Sequence, residues 1–271
     1  FHDSTTPRCD GFIVDRPPHN SLYFQKQLEA VGNYYEKISN GALNYTTDII
    51  INSHSQEHGY YTLSNSMEYY AKADTSLARL FSNVLDTAKA DINDYFVDKA
   101  FTPDDVVFIV FHAGLSQDFS YPSLDPTIYD LKSAYIDEIM MKDIVPSKVL
   151  QDENSYDIKT GILLPETQNI IYFDVVEDIF GNPDYGTTDL CDIQIGLTGI
   201  FAFLLGYELG LPPMFNNNSS SIHYGDPGVG FFGLMDHGSN NGRGVIPAPP
   251  SPWTRSLPAE EWLTIETISP L

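Results

Sequence analysis

The stretch from Ile193 to Leu211, IQIGLTGIFAFLLGYELGL, constrains this chain more than any other. It is almost wholly apolar and is followed by Pro212. A run this apolar reads as a helix buried on all sides, stopped by Gly210 and Pro212. Its uninterrupted apolar part falls short of the roughly 20 residues a membrane span needs. Glu208 near its end argues the same way. No membrane span is therefore expected. The rest of the chain must wrap this helix.

The means to do so are present. The chain has 271 residues, which suits one large domain or two intimate ones. It is 42% hydrophobic and 13% aromatic, enough for a substantial core. Its 14 Lys and Arg against 37 Asp and Glu give a formal net charge of −23. Such a surface repels phosphate backbones, so nucleic acid is excluded as a partner. It suits a secreted protein, a saline environment or carboxylate-rich calcium sites; solubility alone explains it equally well. Cys9 and Cys191 are either one bridge in an oxidising compartment or two buried thiols, and both readings stay open. The chain starts at Phe1 with neither Met nor a charged-then-apolar leader, which predicts a mature or excised piece.

Along the chain, Phe24, Leu28, Val31, Tyr35 and Ile38 repeat at helical spacing after a capping Asn20 or Ser21, and Asn40-Gly41 ends that helix. Leu43 to Ile51 is rich in β-branched residues and predicts a strand. A second helix is predicted from Asp74-Thr75, with Leu77, Leu80, Phe81, Val84, Leu85, Ala88 and Ile92 inward. Val106 to Phe111 reads as a strand buried on both faces, ending at His112-Ala113-Gly114. Ile136 to Leu150 fits helix or strand, and 151–161 reads as a turn. Ile162–Leu164 and Ile170–Val175 predict strands, and Asn182 to Asp192 predicts an acidic loop. A long Asn-, Ser-, Gly- and Pro-rich tail follows Pro213. Helices alternating with buried strands give an α/β or α+β class with no internal repeat.

The chemistry turns on the apolar helix. Zinc hydrolysis needs two imidazoles spaced i, i+4 on one helical face, and a carboxylate beside the first to take a proton from metal-bound water. In a His-Glu-x-x-His helix exiting through Leu-Gly-Leu-Pro, those places fall on Phe203, Leu204 and Tyr207 here. On the helix alone, an ordinary core helix is an even alternative. Further segments are Tyr34 to Leu43; VVFIVFHAG at 106–114 with Gln117-Asp118; Gly230-Phe231-Phe232-Gly233-Leu234-Met235-Asp236; and Pro247 to Trp253 with Trp262. In this order, with GIFAFLLGYELGLP at 199–212, the chain resembles the immune inhibitor A-like family of secreted bacterial zinc metallopeptidases, from about Tyr23 onward.

The resemblance implies a zincin-like metallopeptidase fold with a mixed sheet, a buried central helix and a loop-rich C-terminal part. It implies one metallopeptidase-like domain over 1–271, with an N-terminal α/β part over about 1–189 and the helix and C-terminal part over about 190–271. Met235 matches the methionine turn beneath the metal. The departures remove the activity. A phenyl ring cannot ligate, a neutral phenol ligates poorly, and leucine is no base. Pro213 also stands where the family's acidic residue follows Gly-Leu-Pro. No catalytic residue and no zinc are expected, so the chain reads as a pseudopeptidase. Its expected role is structural or protein-binding, in a secreted or cell-surface protein, with protein partners or self-assembly. The tail from Phe231 to Trp262 offers a contact surface, or packs into the core. The alternatives are an active secreted metallopeptidase with ligands relocated to His112, His223 or His237, and a peptide-binding module that keeps the cleft.

Two further features compete. His54-Ser55-Gln56-Glu57-His58 fits an inverted zinc motif, but that motif needs a helix and these residues follow a predicted strand. Asp152, Glu153, Asn154 and Asp157, and separately Asp184, Asp189 and Asp192, offer the hard oxygen ligands that calcium takes. Solvated acidic loops are the competing reading in so acidic a chain.

Overall fold

The computed structural model describes residues 7–55, 59–97, 99, 105–121, 123–151, 154–174, 176–177, 180, 182–184 and 189–255. The fold is mixed α/β, with small sheets and several helices. Its contacts gather into two compact units, Phe1–Pro17 with Ile49–Gln194, and Pro18–Asp48 with Ile195–Leu271. In chain order the main helices are α1 (Ser21–Ile38), α2 (Met67–Tyr70), α3 (Asp74–Thr87), α4 (Lys89–Phe96) and α5 (Leu197–Glu208). The helices α1 and α5 belong to the second unit and the others to the first. No helix among the described residues is long and apolar enough to cross a membrane.

In the first unit, β1 (Ile109–His112), β2 (Ala134–Ile136) and β5 (Gly161–Pro165) form a sheet of order β1-β5-β2. β5 runs parallel to β1 and antiparallel to β2. Every residue of the central strand β5 is buried. The edge strand β1 instead alternates between half-buried and buried residues. The strand buried throughout is therefore β5 and not the 106–111 run, whose residues are half-buried apart from Val110. α3 packs on the sheet and α4 beside it, and Phe81, Leu85 and Ile92 join one cluster with Ile136 and Leu163. The helical pattern from Leu77 to Ile92 is split at Ala88, where ψ is 0°.

Among the described residues the unit also holds three antiparallel pairs. β3 (Ser147–Gln151) pairs with β4 (Asn154–Ile158), β6 (Ile170–Phe173) with β9 (Leu190–Ile193), and β7 (Val176–Glu177) with β8 (Pro183–Asp184). Part of the predicted 151–161 turn is thus strand, and so are both ends of the predicted 182–192 loop. Pairing partners outweigh turn-forming composition there. The ambiguous 136–150 stretch resolves into the end of β2, a turn and the start of β3. Conversely, 43–51 makes no strand. Strand propensity describes fit to a pleated surface, and it supplies no neighbour.

The segment at 7–9 lies beside β9. Asp192 N–H donates to the Pro7 carbonyl and Cys9 N–H to the Asp192 carbonyl, each at 2.8 Å. A Cys9–Cys191 disulfide locks this junction across 182 positions of sequence. Further on, Gln194 Oε1 accepts from Val14 N–H at 2.9 Å, and Asn169 Nδ2 donates to the Asp15 carbonyl at 2.9 Å. Thr167 Oγ1 donates to the Asp15 carboxylate. These bonds serve Thr167 and Asn169, and Gln168 Nε2 donates to Asp118 Oδ2 at 2.9 Å and Ser133 Oγ at 2.7 Å, within a run from Glu166 to Asn169 that is polar and yet almost fully buried.

In the second unit, Asn20 caps α1 by accepting from Tyr23 N–H at 3.1 Å. Leu28, Val31 and Tyr35 form its buried stripe. Asn40 and Gly41 end it in the left-handed region, at φ of +55° and +81°. Tyr35 Oη donates to the Ala202 carbonyl at 2.7 Å, fixing α1 against α5.

Candidate functional site

α5 is shorter than its apolar run: Ile193 lies in β9, and the helix spans Leu197–Glu208. It ends in a Schellman turn. Gly210 adopts φ +79°, its N–H donates to the Tyr207 carbonyl at 2.9 Å, and Leu211 N–H donates to the Gly206 carbonyl at 2.8 Å. This is the stop that Gly210 and Pro212 predict.

The three positions of interest sit as follows. Phe203 and Tyr207 meet edge-to-face, with ring centroids 5.0 Å apart and planes at 85°. Phe215 stacks obliquely on Phe203 at 6.3 Å. This geometry is favourable for aromatic quadrupoles and adds to the apolar burial. Leu204 turns inward and is buried. Burial pushes the Tyr207 phenol up to about 12, with a smaller contribution from Tyr224, so it stays protonated at neutral pH. A protonated phenol has little to offer a metal ion.

Met235 lies against the same helix and is fully buried. A β-carbon at Gly206 would come within 2.6 Å of its Sδ. Its carbonyl accepts from Met214 N–H at 2.7 Å. The turn carrying it is held by Asp236, which sequence reading passed over as the last letter of a motif. Asp236 Oδ2 accepts from the N–H groups of Gly228, Val229 and Gly230 at 2.8–2.9 Å, and Oδ1 accepts from His237 N–H at 2.8 Å. Burial alone would raise this carboxyl; the four amides outweigh it and hold it below the ordinary carboxylate value. A carboxylate among successive backbone amides is the signal that could have found it.

A test follows from that cradle. In Asp236→Asn an NH₂ group must face at least one of the four N–H donors, leaving a buried donor unpaired. The expected cost is about 2–3 kcal/mol, read as a lower urea midpoint at pH 7. Because the folded-state carboxyl is depressed, its contribution is full above the ordinary Asp range and fades as pH falls through the depressed value. The gap between parent and variant should therefore narrow in acid.

The relocated-ligand candidates fall in both units. His112, at the end of β1 in the first unit, is buried. Its Nδ1 lies 2.9 Å from the Ala113 carbonyl, which can only accept, so Nδ1 carries the proton. Burial pushes its pKa down, against the opposing pull of the Ala113 bond and the charges of Asp118 and Glu166; the ring is neutral. In the second unit, His223 is exposed and Nδ1 sits 2.8 Å from Asp226 Oδ2. His237 is half-exposed beside Phe231, with Nε2 3.9 Å from Asp236 Oδ1. That carboxylate is already occupied by backbone donors.

Among the described residues, the calcium candidates lie on β4, on β8, on β9 and in the loop between β8 and β9. Asp152 and Glu153 lie outside the described residues. Asn154 begins β4 and Asp184 ends β8. Asp157, on β4, pairs with Lys148 at 3.1 Å. Asp189 is exposed. Asp192 is buried in β9, where its carboxylate accepts from Gln194 Nε2 at 3.3 Å. Among the described residues no group of three or more His, Cys, Asp or Glu is placed to hold a metal ion. Of the inverted motif only His54 and Ser55 are described, in a turn; Gln56, Glu57 and His58 lie outside, as does Trp262. Compared with known proteins, the chain matches no family model, no curated protein and no solved structure.

Proposed function

We propose that this chain is a pseudopeptidase: a zincin-like domain of the immune inhibitor A type whose active-site helix has exchanged chemistry for packing. It acts as a structural or protein-binding module of a secreted or cell-surface protein. The observation that carries this reading is the Phe203–Tyr207 pair. Two positions spaced i, i+4 share one helical face, where a zinc helix would present two imidazoles, and here they present interlocked rings. The inward Leu204 leaves no carboxylate beside them, and Met235 packs beneath the helix at Gly206. The disulfide supports an oxidising compartment. Calcium on the acidic loops remains a proposal that rests on composition.

The test is to put the ligands back. Phe203→His with Tyr207→His, leaving Leu204 in place, should create a two-imidazole site on α5 that binds zinc measurably more tightly than the parent. The readout is competition with a chromophoric chelator, and circular dichroism checks that the helix is retained. A correctly folded double variant with no gain in zinc affinity would mean that α5 is an ordinary core helix.

A further inference from the structure

We infer that Asp130 is a proton-operated latch: protonated, it holds the loop between β1 and β2 against the end of β1, and ionised, it loosens that loop. This concerns the first unit alone and does not depend on the pseudopeptidase reading. The loop leaves β1 after His112 and enters β2 at Ala134. Asp130, near its far end, packs where the loop begins. A β-carbon at Gly114, whose φ is +97°, would stand 3.3 Å from Asp130 Oδ1 and 3.0 Å from Met67 Cε of α2. The carboxyl thus lies against the same glycine as an apolar methyl group. Its Oδ2 is buried and has no hydrogen-bond partner.

Asp125 on the same loop is the contrast. Its Oδ1 accepts from Thr127 N–H and Thr127 Oγ1, each at 2.7 Å, and its Oδ2 from Gln117 Nε2 at 2.8 Å and from the Ser120 hydroxyl. Four donors suit an ionised carboxylate. Asp130 has a buried oxygen that nothing serves, so its charged form is the costly one. The charged groups around it give no relief. Glu166, directly after β5, is another acid, and its Oε2 accepts from Gly114 N–H at 3.4 Å. His112 is neutral, and among the described residues the exposed Lys132 makes no ion pair with Asp130. Burial pushes Asp130 up to about 6, with the Thr127 side chain opposing and the Asp125 charge adding to the rise. Among the described residues no group of three or more His, Cys, Asp or Glu is placed to hold a metal ion, which leaves the proton as the occupant. An unfolded Asp titrates near 3.8 and this one is raised on folding, so the folded state binds the proton more tightly. The stabilisation is full below the unfolded value and is lost as pH rises through about 6.

Urea unfolding of the full chain and of Asp130→Asn, each at about pH 5 and about pH 7.5, tests this. Asparagine keeps the shape and cannot ionise, so any constant offset it brings is the same at both pH values, and the other acids cancel between the two proteins. Between these pH values the folding equilibrium of the variant should gain on that of the parent by about tenfold at most. Solvent screening of a half-buried side chain reduces this, and a gain of at least about threefold is expected. Amide hydrogen exchange reads the loop itself. After correction for intrinsic rates, residues 114–131 of the parent should be less protected at the higher pH, and those of the variant equally protected at both. Should Asp130→Asn fail to fold, the exchange of the parent alone decides. An offset between parent and variant that does not change with pH overturns the inference, as does loop protection in the parent that is indifferent to pH. Millimolar calcium that restores the protection at the higher pH would make a cation the occupant and overturn it too.

Discussion

Alanine at Gly199 is expected to destabilise this protein by on the order of 3–4 kcal/mol, or to prevent folding. The usual sign is the opposite: inside a helix, Gly→Ala gains up to about 1 kcal/mol. Here a β-carbon would stand 1.9 Å from the Ser239 carbonyl oxygen and 3.0 Å from Gly244 Cα. Both obstacles are backbone, so no rotamer change relieves the clash. Gly196 N–H donates to the Arg243 carbonyl at 2.7 Å one turn earlier, so the two segments are pinned where they meet. Gly32 in α1 is the internal control. Its added β-carbon would meet only the Tyr45 ring, at 3.6 Å, an ordinary contact. Gly32→Ala should therefore be neutral or stabilising. The urea midpoint should fall for Gly199→Ala and hold or rise for Gly32→Ala, and an unchanged midpoint for Gly199→Ala would mean that α5 and residues 239–244 are not closely packed.

Replacing both Cys9 and Cys191 by Ser is expected to cost about 4 kcal/mol, with loop-closure entropy for so long a closed loop setting roughly 5 kcal/mol as an upper figure. The bridge closes a loop of 182 positions, so its removal enlarges the unfolded ensemble far more than a local bridge would. It also anchors the 7–9 segment, which the Asp192–Pro7 and Cys9–Asp192 backbone bonds join to β9. Thermal melts of the parent with and without reductant should differ, and those of the double variant should not. Equal melts of the oxidised and reduced parent would mean that the junction holds without its bridge.

What the sequence made legible follows from how local the signal is. α1 was readable because its stripe, its Asn20 cap and its Asn40-Gly41 stop all lie within the helix and its ends. The stop of α5 at Gly210 was readable for the same reason. Strands were less so, because a strand exists only where it has a neighbour. Leu43 to Ile51 has the composition and forms no strand, and Asn154 to Ile158 pairs with Ser147 to Gln151 despite its composition. An apolar run such as 106–111 does not by itself say what packs on each face of the sheet, and β1 is only half-buried at alternate residues. At the candidate site, Phe203, Leu204, Tyr207 and Met235 were named from a spacing pattern. Asp236 and Gly199 were missed, since their partners are backbone groups that become neighbours only on folding. The pairing of Cys9 with Cys191 was open for the same reason.

Metal analysis of the purified, unaltered chain, joined to a protein-substrate assay with and without chelator, decides whether packed rings stand on α5 in place of a zinc centre. The expected result is zinc well below one equivalent after dialysis against trace-metal-free buffer, and no hydrolysis that chelator abolishes. One equivalent of tightly held zinc with chelator-sensitive cleavage would contradict it.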